Sequence, residues 1–439
     1  MRANSSAARP RSRRVSRVLL TGVFAAAALT ASSGSAVLLA QTPSAPAAAG
    51  DAPKSDTAAP ANWSDTLKFS GHIEAGITGN PDDPSNGINF GHLFTDRANR
   101  PLLNQILLTG ERPLDPKATG YDFGFKLQGM YGSDARYTHS FNLFDRVTNN
   151  RNQFDIVEAN GLAHLPLLTE GGIDFKVGIF PSPMSAEVID AAGNALYSHS
   201  YIFNFGVPFK HTGALATIHL TPMIDLYAGV DTGVDAWLGR KGDNNSAGAG
   251  QAGVGLNLMD GKLTVLALTH IGPENPRGIP GVRANSDLRY LNDIVTTWKA
   301  SDALTLTTDL NYIRDDGLHA IGYGAAQYAV YALSDSISLV GRGEIWRDNN
   351  GAFVAAFPGS QDFVNAERGL PATTISGGRT TYGALTLGIN YKPEVPKAIE
   401  GFVIRPEIRY DGSLNGTKPF NAGKSDHQVT IAADFILPF

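Results

Sequence analysis

From Leu67 to the carboxyl terminus, apolar and polar residues alternate with a period of two. In residues 67–78, Phe69, Ile73, Ala75 and Ile77 fall on one side and Lys68, Ser70, His72, Glu74 and Thr78 on the other, the pattern of a strand with one greasy and one wet face. The beat returns in residues 121–131, where Phe123, Phe125 and Leu127 oppose Asp122, Lys126 and Gln128. It returns again in residues 303–314, where Leu304, Leu306, Leu310 and Tyr312 oppose Thr305, Thr307, Asp309 and Asn311. Following it along the chain predicts about sixteen strands of roughly ten residues. The first eight are 67–78, 102–111, 121–131, 154–165, 172–180, 210–220, 223–235 and 250–258. The rest are 262–271, 288–299, 303–314, 325–333, 336–347, 380–392, 400–411 and 426–438. The second is the least regular, and residues 136–144 could replace it. No stretch after Leu67 holds the roughly 18 consecutive apolar residues that a membrane helix needs, so any membrane crossing there falls to strands.

Short and long connections alternate. Thr221-Pro222, Met259-Asp260-Gly261, Ala300-Ser301-Asp302 and Ser334-Asp335 suit tight hairpins. Long links fall at 79–101, 132–153, 181–209, 236–249, 272–287, 315–324, 348–379 and 412–425, the asymmetry of a barrel with short turns at one end and long loops at the other. In hydrocarbon an unpaired backbone N–H or C=O is too costly to leave, so the first strand must pair with the last. The predicted fold is all-β: a transmembrane antiparallel up-and-down β-barrel of about sixteen strands. It is too wide for side chains alone to fill, so a watery lumen remains unless loops enter it.

The link 181–209 holds the position of the loop that folds inward and narrows the pore in trimeric general porins. It carries Glu187 and Asp190, while Arg342, Arg405 and Arg409 lie on strands about halfway round the barrel. Facing groups of opposite sign would set a transverse field across a constriction and favour hydrated, dipolar solutes. The alternative is a loop outside the lumen with solvated carboxylates. At the chain end, Val429, Ile431, Ala433, Phe435, Leu437 and Phe439 alternate with Gln428, Thr430 and Asp434. A last strand apolar on one face and ending on Phe resembles the assembly signal of Gram-negative outer-membrane barrels, a role that falls to Phe435, Leu437 and Phe439.

The first 64 residues follow other rules. Arg9, Arg11, Arg13, Arg14 and Arg17 precede a short apolar run from Val18 to Thr30, with small residues at Ala36 and Ala40, so residues 1–40 read as a cleaved signal peptide. Residues 41–64 are mostly Ala, Pro, Ser, Thr, Gly and Asp and read as a disordered leader. Residues 65–439 are then the barrel, exported to the cell outer membrane.

Composition narrows the function. Among 439 residues, 36 Lys+Arg against 41 Asp+Glu give a formal charge of -5, which argues against a nucleic-acid partner. The absence of Cys removes disulfides, thiolate metal sites and cysteine nucleophiles. Trp63, Tyr131, Trp237, Tyr290, Trp298, Tyr312, Trp346, Tyr391 and Tyr410 fall near strand ends, where an interfacial aromatic girdle would place them. Gly248, Gly250 and Gly253 form a G-x-G-x-x-G that leads into a strand, where dinucleotide binding needs a helix. His199, His211 and His219 have no zinc-site spacing, and Ser198, His199 and Ser200 have no G-x-S-x-G elbow. Asp348-Asn349-Asn350-Gly351 could hold Ca²⁺ or simply turn the chain. No catalytic residue, metal or cofactor is expected.

Three stretches resemble the OmpL-like putative β-barrel porin-2 family: Asn104-Gln105-Ile106-Leu107-Leu108-Thr109-Gly110-Glu111-Arg112-Pro113 with Tyr121-Asp122-Phe123-Gly124-Phe125; Tyr131-Gly132-Ser133-Asp134-Ala135-Arg136-Tyr137-Thr138; and Tyr197-Ser198-His199-Ser200-Tyr201 through Asn204-Phe205-Gly206-Val207-Pro208-Phe209 to His211-Thr212-Gly213. The resemblance covers about residues 65–439 and departs at Gly110, where a larger residue is expected. It implies an outer-membrane barrel of the porin class and brings no established substrate.

The expected function is passive diffusion of small hydrophilic solutes through an outer-membrane porin rather than an enzyme. The expected partners are outer-membrane lipid and lipopolysaccharide, the barrel-assembly machinery, periplasmic chaperones and a possible homo-oligomer. A loop-plugged structural or adhesive barrel is the alternative, and an outer-membrane lipid hydrolase acting through Ser198 or Ser200 is the third reading.

Overall fold

A computed structural model describes residues 66–145, 147–148, 150–238, 244–396 and 401–439; the expected signal peptide, leader and Trp63 lie outside them. The strands are β1 (Lys68–Gly79), β2 (Pro101–Arg112), β3 (Asp122–Gly132), β4 (Gln153–Leu165), β5 (Ile173–Pro181), β6 (Lys210–Thr221), β7 (Ile224–Asp231), β8 (Ala249–Leu258) and β9 (Leu263–Pro273). They continue as β10 (Leu288–Lys299), β11 (Leu304–Asp315), β12 (Ala320–Ala332), β13 (Ile337–Asp348), β14 (Ala355–Ala356), β15 (Ile375–Ser376), β16 (Thr380–Tyr391), β17 (Val403–Ser413) and β18 (His427–Pro438). β14 and β15 form a small ladder in the link between β13 and β16, and the other sixteen close into one barrel in chain order. β1 meets β18 antiparallel, from His72 opposite Pro438 to Gly79 opposite Ile431. Gly71 and Phe439 complete the seam by exchanging backbone hydrogen bonds of 2.8 and 2.9 Å.

Closure sets the two faces as the period of two requires. Phe69, Leu108, Leu127, Val177, Val230, Leu385, Leu387, Ile408 and Ile431 are exposed on the outside, whereas His72, Glu74, Asp293, Asp309, Arg342 and Asp434 are buried within. Greasy side chains outside and ionisable ones inside is the inverse of a water-soluble protein.

The structure corrects four local readings. The chain turns within residues 316–319 rather than 315–324, and β12 begins at Ala320, pairing Ile321 with Arg314 and Tyr323 with Tyr312. The first half of β12 shows no polar beat because its inner positions are Ala320, Gly322 and Gly324. A Cβ on Gly322 or Gly324 would come within 2.9 Å of the Trp346 ring. That ring is fully buried inside the barrel and is no part of a girdle, since Trp346 shares the inward parity of Arg342 and Glu344. The seventh strand stops at Asp231 rather than residue 235. Residues 136–144 form no strand: the single helical turn α1 (Ala135–Thr138) stands there, and β2 is the second strand.

The long links fold into the barrel mouth. Phe90, Phe94, Tyr137, Tyr201, Phe203, Phe209 and Phe357 from four links join Trp346 and Tyr382 of the wall in one buried cluster. Its rings meet at 5.3 Å for Phe203 and Phe209 and 4.9 Å for Tyr201 and Tyr382. Towards the short-turn end, inward residues such as Thr264, Thr297, Thr307 and Asn390 are only half-buried, so the interior there is wetter.

Candidate functional site

The link between β5 and β6, residues 182–209, enters the lumen and is fastened to the wall by its own backbone. Such a segment has few internal partners for its N–H and C=O groups, and buried backbone groups must find them. Near its start, the Ser185 and Ala186 amides donate to Asp293 on β10 (2.7 Å) and Asp309 on β11 (2.9 Å). Further on, Gln105 on β2 donates to the Ile189 carbonyl (2.7 Å), and Arg405 on β17 donates to the carbonyls of Ala191 (2.9 Å) and Asn194 (2.7 Å). Glu407 accepts from the amides of Tyr197 (3.0 Å) and Ser198 (3.2 Å), and Glu344 on β13 from that of Tyr201 (2.7 Å). Partners on β1, β2, β10–β13 and β17 make the loop a strap across the lumen.

The residues singled out for a transverse field sit within this fastening. Glu187 is buried, 2.7 Å from Arg342, and also accepts from the Tyr328 hydroxyl (3.0 Å) and the Ser200 amide (2.8 Å). Arg342 further donates to the Ser198 carbonyl (2.6 Å) and pairs with Glu344 (3.2 Å). Arg409 pairs with Glu344 (3.2 Å) and Asp411 (2.8 Å) and donates to the His199 carbonyl (2.7 Å). Arg405 pairs with Glu74 (3.1 Å) and with Asp434. Of the groups expected on opposite sides of a gap, Glu187 and Arg342 are therefore in contact, while Arg405 and Arg409 pair with carboxylates of the wall; Arg342 and Arg409 are 0% exposed and hold the strap down.

Asp190 is placed differently. Its carboxylate accepts from the Ala192 amide (3.0 Å) and caps the 3-10 turn Ala191–Gly193, yet its side chain is 38% exposed, 3.7 Å from His72. It lies within Coulomb range of Lys126 on β3, which pairs with Glu158 on β4 at 2.8 Å and sits 4.0 Å from Glu111 on β2. Lys126 and Glu111 are each 29% exposed. Lys176 on β5 is half-buried with its ammonium 6.0 Å from the Phe180 ring, and among the described residues no carboxylate is in ion-pair range of it. Water thus reaches charged groups of both signs along β2–β5, beside the strap. Alternation already gave Lys126 inward parity; what it lacked was where the strap would leave room.

Within the strap, His199 lies between the Phe94 and Phe203 rings, 4.7 Å from each. Burial, together with the guanidiniums of Arg342, Arg405 and Arg409, pushes its pKa down to about 3. Burial likewise raises the Tyr197 and Tyr201 hydroxyls well above their usual range, and it lifts Asp134, at the root of the preceding long link, to about 6. Both serines considered as nucleophiles make structural bonds: Ser200 Oγ accepts from the Phe203 amide (3.1 Å) and caps α2 (Tyr201–Phe205), and Ser198 Oγ accepts from Arg342 (3.2 Å). Asp348 accepts from five backbone amides between Asn350 and Val354, so turn formation occupies both its oxygens. His211, Asp231 and His270, on β6, β7 and β9, converge in the wall, a grouping their sequence spacing does not suggest.

Phe435, Leu437 and Phe439 line the outer side of the seam. Phe435 stands opposite Ala75 and Leu437 opposite Ile73. The Phe439 ring covers Gly71 so closely that a Cβ there would lie 2.7 Å from it.

The sequence profile of the family described as "Putative beta-barrel porin-2, OmpL-like" matches residues 66–439. Among curated protein sequences no relative matches. The outer-membrane channel DcaP of Acinetobacter baumannii superposes with a TM-score of 0.55 at 12% identity, covering 85% of this chain and 97% of that one. An anion-selective porin from Comamonas acidovorans superposes at 0.52 and 9% identity, covering 85% and 99%. OprB of Pseudomonas putida superposes at 0.50 and 12% identity, covering 85% and 94%. At such identities the likeness is one of fold.

Proposed function

The chain belongs to the OmpL-like putative β-barrel porin-2 family, and from that premise we propose that this outer-membrane barrel passes small hydrophilic solutes beside the 182–209 strap, along the wall formed by β2–β5. The observation that carries the reading is the partial exposure of Asp190, Glu111 and Lys126 in a lumen whose other charged side chains are mostly buried in pairs. Groups of both signs at a wet, narrow place replace part of a polar solute's hydration and offer nothing to an apolar one. Lipid and lipopolysaccharide surround the outer face in this reading. The assembly machinery and its chaperones recognise the strand ending in Phe435, Leu437 and Phe439, and a homo-oligomer fits it without being needed.

A loop-plugged barrel is the second reading, favoured by the complete burial of Arg342 and Arg409 beneath the strap. Reconstitution in planar bilayers separates the two. Stepwise, salt-dependent channels whose preference shifts towards cations in Lys126→Glu and Lys176→Glu support the porin. Pure, folded protein that gives no channels supports the plug, and channels indifferent to both substitutions put the path elsewhere.

A further inference from the structure

At the long-link end of the barrel, four neighbouring strands turn polar side chains to one spot. Asp231 closes β7, Gln251 on β8 donates to it (2.5 Å), and His270 on β9 lies opposite Gln251. His211, second residue of β6, approaches from the other side with its ring centroid 5.0 Å from that of His270. His270 Nε2 is 3.1 Å from Asp231 Oδ1, and His211 Nδ1 is 3.2 Å from Asp231 Oδ2. One ligand atom from each of the three residues fits within 4.8 Å of the others, and all three residues are buried. β6 and β7 come this close because Gly213 carries no side chain: a Cβ there would sit 2.6 Å from the Asp231 Cα.

We propose that His211, Asp231 and His270 bind a divalent transition-metal ion of the zinc type within the barrel wall. Two features separate this cluster from an ordinary polar network. His211 Nε2 has no hydrogen-bond partner among the described residues, and Nδ1 has only the Asp231 carboxylate at 3.2 Å, although the side chain is 1% exposed. A buried imidazole left so is unfavourable, and a cation accepting its lone pair resolves it. The second feature is Glu274, whose Oε1 is 3.8 Å from His270 Nδ1, the nitrogen facing away from Asp231, and is itself unpartnered. A carboxylate behind a metal-bound imidazole fixes the ring's orientation and tautomer. Two imidazoles and a carboxylate are borderline ligands, suited to Zn²⁺ and its neighbours rather than to Ca²⁺ or Mg²⁺. The ion would pin the first turn of β6, where the strap returns to the wall, to β7 and β9. The site is independent of the transport reading.

The test uses the full mature barrel, folded in detergent and stripped with a chelator. Equilibrium dialysis against ZnCl₂ with elemental analysis is expected to find one ion per chain, and Co²⁺ to give the visible bands of a low-symmetry nitrogen–oxygen site. His211→Ala and His270→Ala abolish both signals while the barrel keeps its resistance to unfolding in unheated dodecyl sulfate. Glu274→Gln keeps the stoichiometry and weakens affinity by roughly 10–100-fold. His219→Ala, at a separate His164–Asp174–Asp225 cluster, leaves binding intact. Absence of bound Zn²⁺ in the wild type, retention of the ion by both His211→Ala and His270→Ala, or its loss in His219→Ala would each overturn the site.

Discussion

At the residue scale, His199 couples the strap to proton concentration. Its imidazole stays neutral in place because burial and three guanidiniums hold its pKa near 3, against 6.5 for the free side chain. A strap released into water regains the higher value. Below pH 6.5 the released form therefore binds more protons than the seated one, and seating weakens by up to about 1.4 kcal/mol for each pH unit until about pH 3. Asp134 acts oppositely. Its carboxyl, raised to about 6, takes a proton in the folded state first, which favours that state as pH falls from about 6 towards the ordinary carboxylate value; it touches Asn104 and Gln105, which hold the strap at Tyr197 and Ile189. Comparing variants isolates the imidazole. Acidification from pH 7 to pH 4 is expected to raise conductance, or protease cleavage within 182–209, in the wild type. His199→Phe, an apolar ring between Phe94 and Phe203, is expected to blunt the response. Equal responses in the two proteins would remove His199 from the account.

At the element scale, the strap is the part of the molecule whose loss should matter most to flow. Arg342 joins Glu187 of the strap to Glu344 of β13, and truncating it leaves the buried Glu187 carboxylate without its cation, while Glu344 keeps Arg409. Breaking a buried pair from one side typically costs about 3–5 kcal/mol. In Arg342→Ala that cost falls on strap seating, since the β13 ladder is backbone-bonded on both sides. The expected result is a several-fold rise in single-channel conductance with the barrel still resistant to dodecyl sulfate; an excised strap, with residues 183–208 replaced by a short Gly-Ser turn, should go further. Folded barrels of unchanged conductance in both variants would show that the strap does not limit flow. The elements themselves were largely legible, because lipid outside and polar contents inside impose one residue period on every strand. Legibility failed where that pressure was absent: at Gly322 and Gly324, which make room for Trp346, and at residues 136–138, enclosed by other links. The inward course of 182–209 was one of two readings its position allowed, and its anchors were not legible. No periodicity records that Glu187 will meet Arg342, 155 positions away. The His211, Asp231 and His270 grouping was closer to reach, since inward parity and a strand-by-strand register place it at one height, yet spacing within the sequence conceals it.

At the scale of the whole molecule, the same side-chain exposure means different things on the two faces, and this can be measured. Leu387 is exposed, with Leu385 beside it, midway along β16 on the outer face, while Asn390 on the same strand is half-buried and has the inward parity of Thr386. If water bathed both faces, an arginine at position 387 would be nearly neutral, because an exposed site on a soluble sheet solvates the guanidinium. In a bilayer the same arginine meets hydrocarbon near the midplane, at a cost of roughly 2–4 kcal/mol that falls towards the interfaces. Reversible urea unfolding in lipid vesicles is therefore expected to show Leu387→Arg destabilised by that amount. Asn390→Arg, directed into the wet short-turn end of the lumen, should stay within about 0.5 kcal/mol of the wild type. The order of the two is the decisive quantity. An inward arginine costing more than an outward one would mean that the greasy band from Phe69 to Ile431 faces something other than lipid, and the barrel would then have to be explained without a membrane.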